Sequence, residues 1–447
     1  MSKNHEIQKE IQIGIIGYGT VGSGVVEVLE KNNDEIARRT GYQVKIKTVA
    51  RRNWTGFDCE KLNFHCTENP REIVDDPEIA VVLELIGGEE PARSLIIQAM
   101  KNSKHIITAN KALIAECGEE LFQVAKEQGV SLSYEAAVAG GIPVIKVLRE
   151  AMSGNKIDRV AGIINGTCNF ILSQMQEKKA NFADVLHKAQ ELGYAEADPS
   201  FDIDGIDAAH KLTILASLAF GVPLQFQKVL VEGIRNISAE DIENAAELGF
   251  VIRHLGIARR RENGIELRTH PTLINEDAML ARVSGVMNAV QIEGNAVGKT
   301  LYYGSGAGKL PTASAVVADL IDTIRDLDDD RASRIAPLGY SEIAYDTLSK
   351  HNELSPLSPD EFKSAFYLRL GVKDEVGTLA QITKILADNG ISIASILQKT
   401  ELDTDGIVPL IILTDPVIEK NMNLAVSAIE NLPQTVGKLQ KIRVGKF

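Results

Sequence analysis

Ile11-Gln-Ile-Gly-Ile-Ile-Gly17-Tyr-Gly-Thr-Val-Gly22, continued by Ser-Gly-Val-Val-Glu-Val-Leu-Glu30, decides the reading of the amino-terminal third. A β-rich apolar run meets a glycine turn and then a segment with helical periodicity, which is the order strand, turn, helix. In that order Gly17 allows the tight turn, Gly19 lets a pyrophosphate approach the backbone, and Gly22 lets the helix pack on the strand. The stretch Gly17, Tyr18, Gly19, Thr20, Val21 and Gly22 therefore reads as a dinucleotide-binding turn. A merely tight strand-to-helix turn is the alternative.

Working outward, Gln43 to Ala50 is a second strand that ends at Arg51-Arg52. No acid stands there to bond a ribose 2′-hydroxyl, and two guanidinium groups suit a 2′-phosphate, so NADP(H) is preferred with NAD(H) still admissible. A solvated basic turn is the competing reading of the same pair. Val81–Ile86 and His105–Ala109 add strands around a helical 91–102 segment, and this alternation predicts a parallel, doubly wound sheet. Lys111 follows the strand ending Thr108-Ala-Asn and faces the ligand side of such a sheet.

The tract Gly162-Ile-Ile-Asn-Gly-Thr-Cys-Asn-Phe-Ile-Leu172, resumed at Gly193-Tyr-Ala-Glu-Ala-Asp-Pro-Ser-Phe-Asp-Ile-Asp-Gly-Ile-Asp-Ala-Ala-His-Lys211, crowds Glu196, Asp202, Asp207 and Lys211 together. Residues 204–220 carry a helical pattern with Ile206, Ala209, Leu212, Leu215 and Leu218 near one face, and Asp204 is placed to cap it. Asp207 and Lys211 then stand one turn apart, either as an intrahelical ion pair or flanking a ligand.

This tract, GxxNGTxNxIL followed by GYxExDPxxDxxGxDxxxK, together with the Thr108-Ala-Asn-Lys111 segment, resembles the signature of homoserine dehydrogenases. The resemblance implies an oxidoreductase acting on a CH–OH group, reducing aspartate semialdehyde reversibly to homoserine. It makes Lys211 the proton donor, Lys111 the bridge between cofactor and substrate, Glu196 the binder of the substrate amino group, and Asp202 and Asp207 supporting acids. It also implies that Glu135 and the carbonyls of Val138, Gly140 and Ile142 bind a monovalent cation, sodium; the residues alone read as a strand and a tight turn. The loop Tyr302-Tyr-Gly-Ser-Gly-Ala-Gly308 also resembles the family, which implies that the chain returns to the cofactor at Gly306 and Gly308; a hinge is the alternative reading of that glycine loop.

Near the carboxyl end, Asp374-Glu-Val-Gly-Thr-Leu-Ala opens a helix through Asp388 between strands, within a βαββαβ or ββαββα pattern. DxxGxLAxIxxxLAxxxISI resembles an ACT domain, which implies an amino-acid effector, threonine, at Asp374, Val376 and Gly377. An oligomerisation module without a ligand is the other reading.

The expected organisation is an NAD(P)-binding Rossmann domain over 1–134, completed by about 305–330. An α+β substrate and dimerisation domain over 135–304, a linker over 331–364 and a ferredoxin-like ACT domain over 365–447 follow. The 447 residues suit roughly three domains of about 150 residues. A formal charge of −13 disfavours nucleic acid and anionic membrane surfaces as partners. The first ten residues hold no apolar signal core, so the expected setting is cytoplasmic. Four cysteines without CxxC spacing read as reduced and structural. The expected assembly is a homodimer or homotetramer.

Overall fold

The amino-terminal run becomes β1 (Lys9–Ile16), with Ile13, Ile15 and Ile16 almost wholly buried. Burial on both sides explains its near-continuous apolar sequence, because parallel sheets are covered on both faces. The chain then forms α1 (Thr20–Thr40), β2 (Tyr42–Ala50), β3 (His65–Thr67), β4 (Val81–Glu84), α2 (Ala92–Lys101), β5 (His105–Thr108), α3 (Lys111–Gln128) and β6 (Leu132–Ser133). These strands pair in parallel in the order β3-β2-β1-β4-β5-β6, so the order reverses between β1 and β4. That reversal opens a crevice at the strand carboxyl ends. Helix α1 stops at Gly41, whose φ of 77° and N–H bond to Ala37 O form a left-handed cap.

This computed structural model describes residues 9–327, 336–340, 354–398 and 406–447. The expectations for residues 1–8, for 328–330 of the segment completing the first domain, and for 331–335 and 341–353 of the linker lie outside them. Contacts divide the chain into two compact units. One holds residues 1–166, 207–229 and 287–353, and the other holds 167–206, 230–286 and 354–447. Among the described residues no helix is long and apolar enough to cross a membrane.

The remaining elements, in chain order, are β7 (Ile157–Ile163), α4 (Gly166–Lys178), α5 (Phe182–Glu191), α6 (Ile206–Phe220), α7 (Ala239–Glu247) and β8 (Phe250–Arg261). They continue with β9 (Gly264–Asn275), β10 (Met287–Gly294), β11 (Gly298–Ser305), α8 (Lys309–Leu327) and β12 (Lys363–Lys373). The chain finishes with α9 (Thr378–Asp388), β13 (Ile393–Gln398), β14 (Ile407–Thr414), α10 (Glu419–Glu430) and β15 (Thr435–Gly445).

In the first unit, α8 packs on α1, and Ala313, Val316, Leu320 and Ile324 join Ile11, Ile13, Val25 and Leu83 in one apolar cluster. Each such buried Val, Leu or Ile side chain contributes about 1.5–3 kcal/mol. Strands β7, β10 and β11 pair antiparallel, β10 lying between the other two. Helix α6 departs from the one-faced pattern expected of it, since every residue from Asp207 to Leu218 is buried. A helix enclosed all round reads as apolar all round, which hides its polar members. It also begins at Ile206 rather than at an Asp204 cap, because the Asp204 carboxylate is taken by the Arg235 guanidinium.

The second unit carries the strand order β8-β9-β15-β12-β14-β13. The last four strands with α9 and α10 form the βαββαβ module, and its helix α9 starts at Thr378, four residues later than expected. Strand β15 pairs in parallel with β9, Thr272 beside Arg443, so the module's sheet continues into the β8–β9 hairpin. Arg443 is buried and forks onto two acids. It donates to Glu419 Oε2 at 2.9 Å and to Glu232 at 2.7 and 2.9 Å. Burial opposes ionisation of Glu419, but Arg443 and Lys441 prevail and hold its carboxyl below the ordinary value.

Arg443→Met leaves the buried Glu419 without its guanidinium, and the expected loss is about 3–5 kcal/mol. Urea unfolding should show a lower midpoint for Arg443→Met and partial recovery in the Arg443→Met/Glu419→Leu double variant.

Candidate active site

Helix α6 presents Asp207 and Lys211 one turn apart, as the spacing requires, and the fold brings two further groups to the same carboxylate. Asp207 Oδ2 accepts from Lys211 Nζ at 2.7 Å and from Asn165 Nδ2 at 2.8 Å. Asp207 Oδ1 lies 3.1 Å from Lys111 Nζ. Lys211 Nζ also donates to the carbonyl of Ile164 at 2.9 Å, so β7's end and α6 share the ammonium. Burial pushes Asp207 up. The Lys211 and Lys111 charges and the hydrogen bonds from Lys211 and Asn165 outweigh it and hold the carboxyl well below its usual range. The result is an ionised, buried acid that orients two cationic amines.

Lys111 reaches this point because β5 ends at Thr108 and the Asn110 side chain caps α3, accepting from Leu113 N at 3.2 Å. Lys111 is the first residue of that helix, and its side chain is 33% exposed against 11% for Lys211. The Lys111 amine is therefore the more open of the two and the Lys211 amine the more enclosed.

The glycine turn has the geometry read from its spacing. Gly17 has a φ of 112°, and a Cβ there meets Leu85 O at 2.6 Å. A Cβ at Gly22 meets Gly17 O at 2.0 Å, so the helix start closes directly on the turn. Tyr18 leaves this turn to pack against Trp54, Phe57 and Phe64 with ring centroids 5.4, 5.8 and 5.8 Å away. The Arg51 guanidinium lies over Phe57 at 4.3 Å, while Arg52 is exposed. The chain returns through Gly306 and Gly308 into α8, whose Lys309 pairs with Glu27 of α1 at 2.8 Å.

Near β6 the Glu135 carboxylate accepts from Ile145 N and Lys146 N at 2.9 and 2.8 Å. Burial and the neighbouring Asp319 carboxylate push Glu135 up to about 7. Ala139 and Gly140 take left-handed φ values of 56° and 47°, making a turn whose carbonyls are hard, neutral oxygen donors. Among the described residues no cluster of His, Cys, Asp and Glu side chains has the makings of a metal site.

In the second unit the two halves of the polar tract meet. Thr167 Oγ1 donates to Tyr194 O at 2.7 Å and lies 3.3 Å from Asp202 Oδ2, and Cys168 Sγ lies 3.2 Å from Asp202 O. Glu196 is exposed on the intervening loop. Asn169 donates to the carbonyls of Val283 and Gly285 at 3.3 and 3.0 Å. Its place in the motif is structural on this geometry. Asp374 and Val376 precede the left-handed Gly377 that caps α9, and Val376 is fully exposed.

Two residues of the site were missed in the sequence. Asn165 stood inside the quoted motif without a role, and Glu84, fully buried, stood as a lone acid in an apolar strand. His210, beside Lys211, turns instead to Glu116 at 2.9 Å and stacks on Phe226 at 4.2 Å. The four cysteines are free.

Family models match along the chain: the homoserine dehydrogenase NAD-binding domain over residues 17–135, homoserine dehydrogenase over 143–321, and the ACT domain over 366–434. A homoserine dehydrogenase of Pseudomonas aeruginosa is 52% identical over 437 residues, 98% of this chain and 99% of that protein. The chain belongs to the homoserine dehydrogenase family. The crystal structure of a homoserine dehydrogenase from Thiobacillus denitrificans superposes with a TM-score of 0.91 at 51% identity, covering 98% of this chain and 99% of that one. A hyperthermophilic archaeal homoserine dehydrogenase in complex with NADPH matches with a TM-score of 0.62 at 27% identity, over 72% of this chain and all of that one. The expected doubly wound NAD(P)-binding domain, α+β region and ACT module are thus present in one oxidoreductase.

Asp207 has a depressed carboxyl, so the stability it contributes is complete above the unfolded value of about 4 and lost as pH falls below it. Asp207→Asn should lower stability at neutral pH by about 3 kcal/mol and remove that acid-side slope. Chemical unfolding at pH 7, 4 and 3 measures both effects.

Proposed function

We propose that the protein reversibly reduces L-aspartate 4-semialdehyde to L-homoserine with NADPH, in the biosynthesis of threonine, methionine and isoleucine. The observation that carries this reading is the convergence of Lys211, Lys111 and Asn165 on the buried Asp207 carboxylate. When bound, the nicotinamide supplies the hydride that reaches the aldehyde carbon.

Negative charge then develops on the aldehyde oxygen, and a cation must meet it. Lys211 commits two of its three N–H bonds, to Asp207 and Ile164 O. The third is available for the substrate oxygen, to which the ammonium gives its proton. In the reverse direction the neutral amine takes the proton back, and Asp207 holds it in place throughout. Lys111 bridges cofactor and substrate from the more open side. Glu196 binds the substrate ammonium as a charge partner, and Asp202 supports that loop through Thr167.

Arg51 and Arg52 bind the 2′-phosphate of the preferred NADP(H), with NAD(H) accepted more weakly. The Gly17–Gly22 turn with Tyr18, Thr20 and Val21 takes the pyrophosphate, and Gly306 and Gly308 border the cofactor from the returning chain. The NADPH held by the archaeal relative supports this choice. Glu135 and the carbonyls of Val138, Gly140 and Ile142 would supply hard oxygen donors to a monovalent cation, sodium, whose charge would offset the buried carboxylate.

The domain plan follows the same reading. Residues 1–134 with about 305–330 form the cofactor domain, 135–304 the substrate and dimerisation domain, 331–364 the linker and 365–447 the ACT domain. The enzyme is cytoplasmic and works as a homodimer or homotetramer. The ACT module binds threonine at Asp374, Val376 and Gly377 as feedback effector. The β9–β15 pairing and the Arg443–Glu232 bridge give it a rigid attachment to the β8–β9 hairpin.

Lys211→Ala should cut kcat with aspartate semialdehyde by about 10²–10⁴-fold while the NADPH Kd, read by energy transfer from the single tryptophan Trp54, changes little. Equal losses in both, or equal rates with NADH and NADPH in the wild type, contradict the corresponding assignments. Threonine at millimolar concentration should inhibit the wild type and leave an Asp374→Ala variant active; no response to threonine removes the effector reading.

A further inference from the structure

Glu84 is the last residue of β4 and is fully buried, after three apolar neighbours, Val81, Val82 and Leu83, that the strand buries equally. No cation pairs with it among the described residues. An apolar side chain here avoids the cost of taking a carboxyl out of water, so the acid must do something that packing does not require.

Its bonds say what. Oε1 accepts from Ile86 N and Gly87 N at 2.9 and 3.2 Å, which curls the chain as it leaves β4. Oε2 accepts from Thr108 Oγ1 at 2.6 Å, across the β4–β5 pair in which the two residues are register partners. Thr108 Oγ1 in turn accepts from Asn110 N at 3.0 Å. Asn110 Nδ2 closes the ring on Gly88 O at 2.6 Å, while Asn110 Oδ1 caps the helix that Lys111 begins. One carboxylate therefore fixes the 85–88 turn and the start of α3 relative to each other. Both lie at the crevice beside the point where the strand order reverses, and Leu85 N there bonds Ile16 O at 2.8 Å at the edge of the glycine turn. Burial pushes the Glu84 carboxyl up while the Thr108 hydroxyl and the two N–H groups pull it down, consistent with a group worked against solvation.

We propose that Glu84 is a positioning residue that, through Thr108 and Asn110, sets where Lys111 delivers its ammonium to Asp207 and the substrate. The inference rests on the role of Lys111 given above. A misplacement of about 1 Å costs on the order of a hundredfold in rate, so a carboxylate that sets a helix origin has a large effect without touching substrate.

The test is a double-mutant cycle of Glu84→Gln and Lys111→Ala in the full-length protein, with Thr108→Val as a second way to break the relay. Glutamine keeps the volume but turns an amide against donors. Glu84→Gln and Thr108→Val should each lower kcat about ten- to a hundredfold with NADPH Kd, read by Trp54, within about twofold of wild type. In the Lys111→Ala background, Glu84→Gln should add less than about twofold. A readout without turnover accompanies it: acetic anhydride should modify Lys111 of the cofactor-free protein faster in Glu84→Gln than in wild type, measured by peptide mass.

Multiplicative losses in the cycle, wild-type kcat in Glu84→Gln, or an unchanged Lys111 labelling rate each overturn the proposal. If Lys111→Ala itself keeps wild-type turnover, the Lys111 assignment fails and the positioning role falls with it. That outcome is distinguished from failure of Glu84 alone, in which Lys111→Ala is impaired and Glu84→Gln is not.

Discussion

A buried carboxylate with two ammonium partners sets the terms for the catalytic unit. Asp207 is held by Lys211, Lys111 and Asn165, and each comes from a different place in the chain: α6, the start of α3 and the end of β7. A charge taken out of water is tolerated only when its partners are fixed. The Rossmann helix, the antiparallel ladder and the central helix must therefore all be in register before the site exists. The cost of burial and the precision of the site are two aspects of one arrangement.

The same logic recurs at lower charge. Glu84 has hydrogen-bond donors in place of cations, and it links two strand ends that carry the cofactor-side turn and Lys111. In the second unit Arg443 holds Glu419 and Glu232 where β15 joins β9, so a buried fork marks the seam between the ACT sheet and the β8–β9 hairpin. Elsewhere in that unit cohesion is mostly apolar, with Tyr367, Ile411 and Ile442 in one cluster beside Ile171 and Leu172. Polar groups are buried where position matters, and aliphatic ones where only cohesion does.

Local chemistry makes much of this legible in the sequence. Glycines with a forced φ or no room for a Cβ, at Gly17 and Gly22, announce themselves in sequence because no other residue fits. Strand and helix alternation through residue 134 follows from period and turn residues alone, while the end module stays open between βαββαβ and ββαββα until its strand pairing is seen. Helix α6 was harder to read. Its spacing gave the Asp207–Lys211 pair, but its apolar stripe concealed that the whole helix is enclosed, and a neighbouring arginine rather than a cap claimed Asp204. The helix of the end module begins four residues after Asp374, because Gly377 supplies a left-handed entry that the acid does not.

By itself, then, the sequence determined the alternation of strand and helix in the amino-terminal domain, the glycine turn, and the spacing that puts an acid and an amine on one face of a helix. Those features depend on residues close in the chain, where sterics and period act directly. Only the tertiary structure decided that Lys111 and Asn165 share Asp207, that His210 belongs to Glu116, and that Glu84 ties two strand ends together. Such contacts join residues 24 to 96 positions apart, and no local preference encodes them. They follow from which strands neighbour which, and from the requirement that a buried charge find its partners.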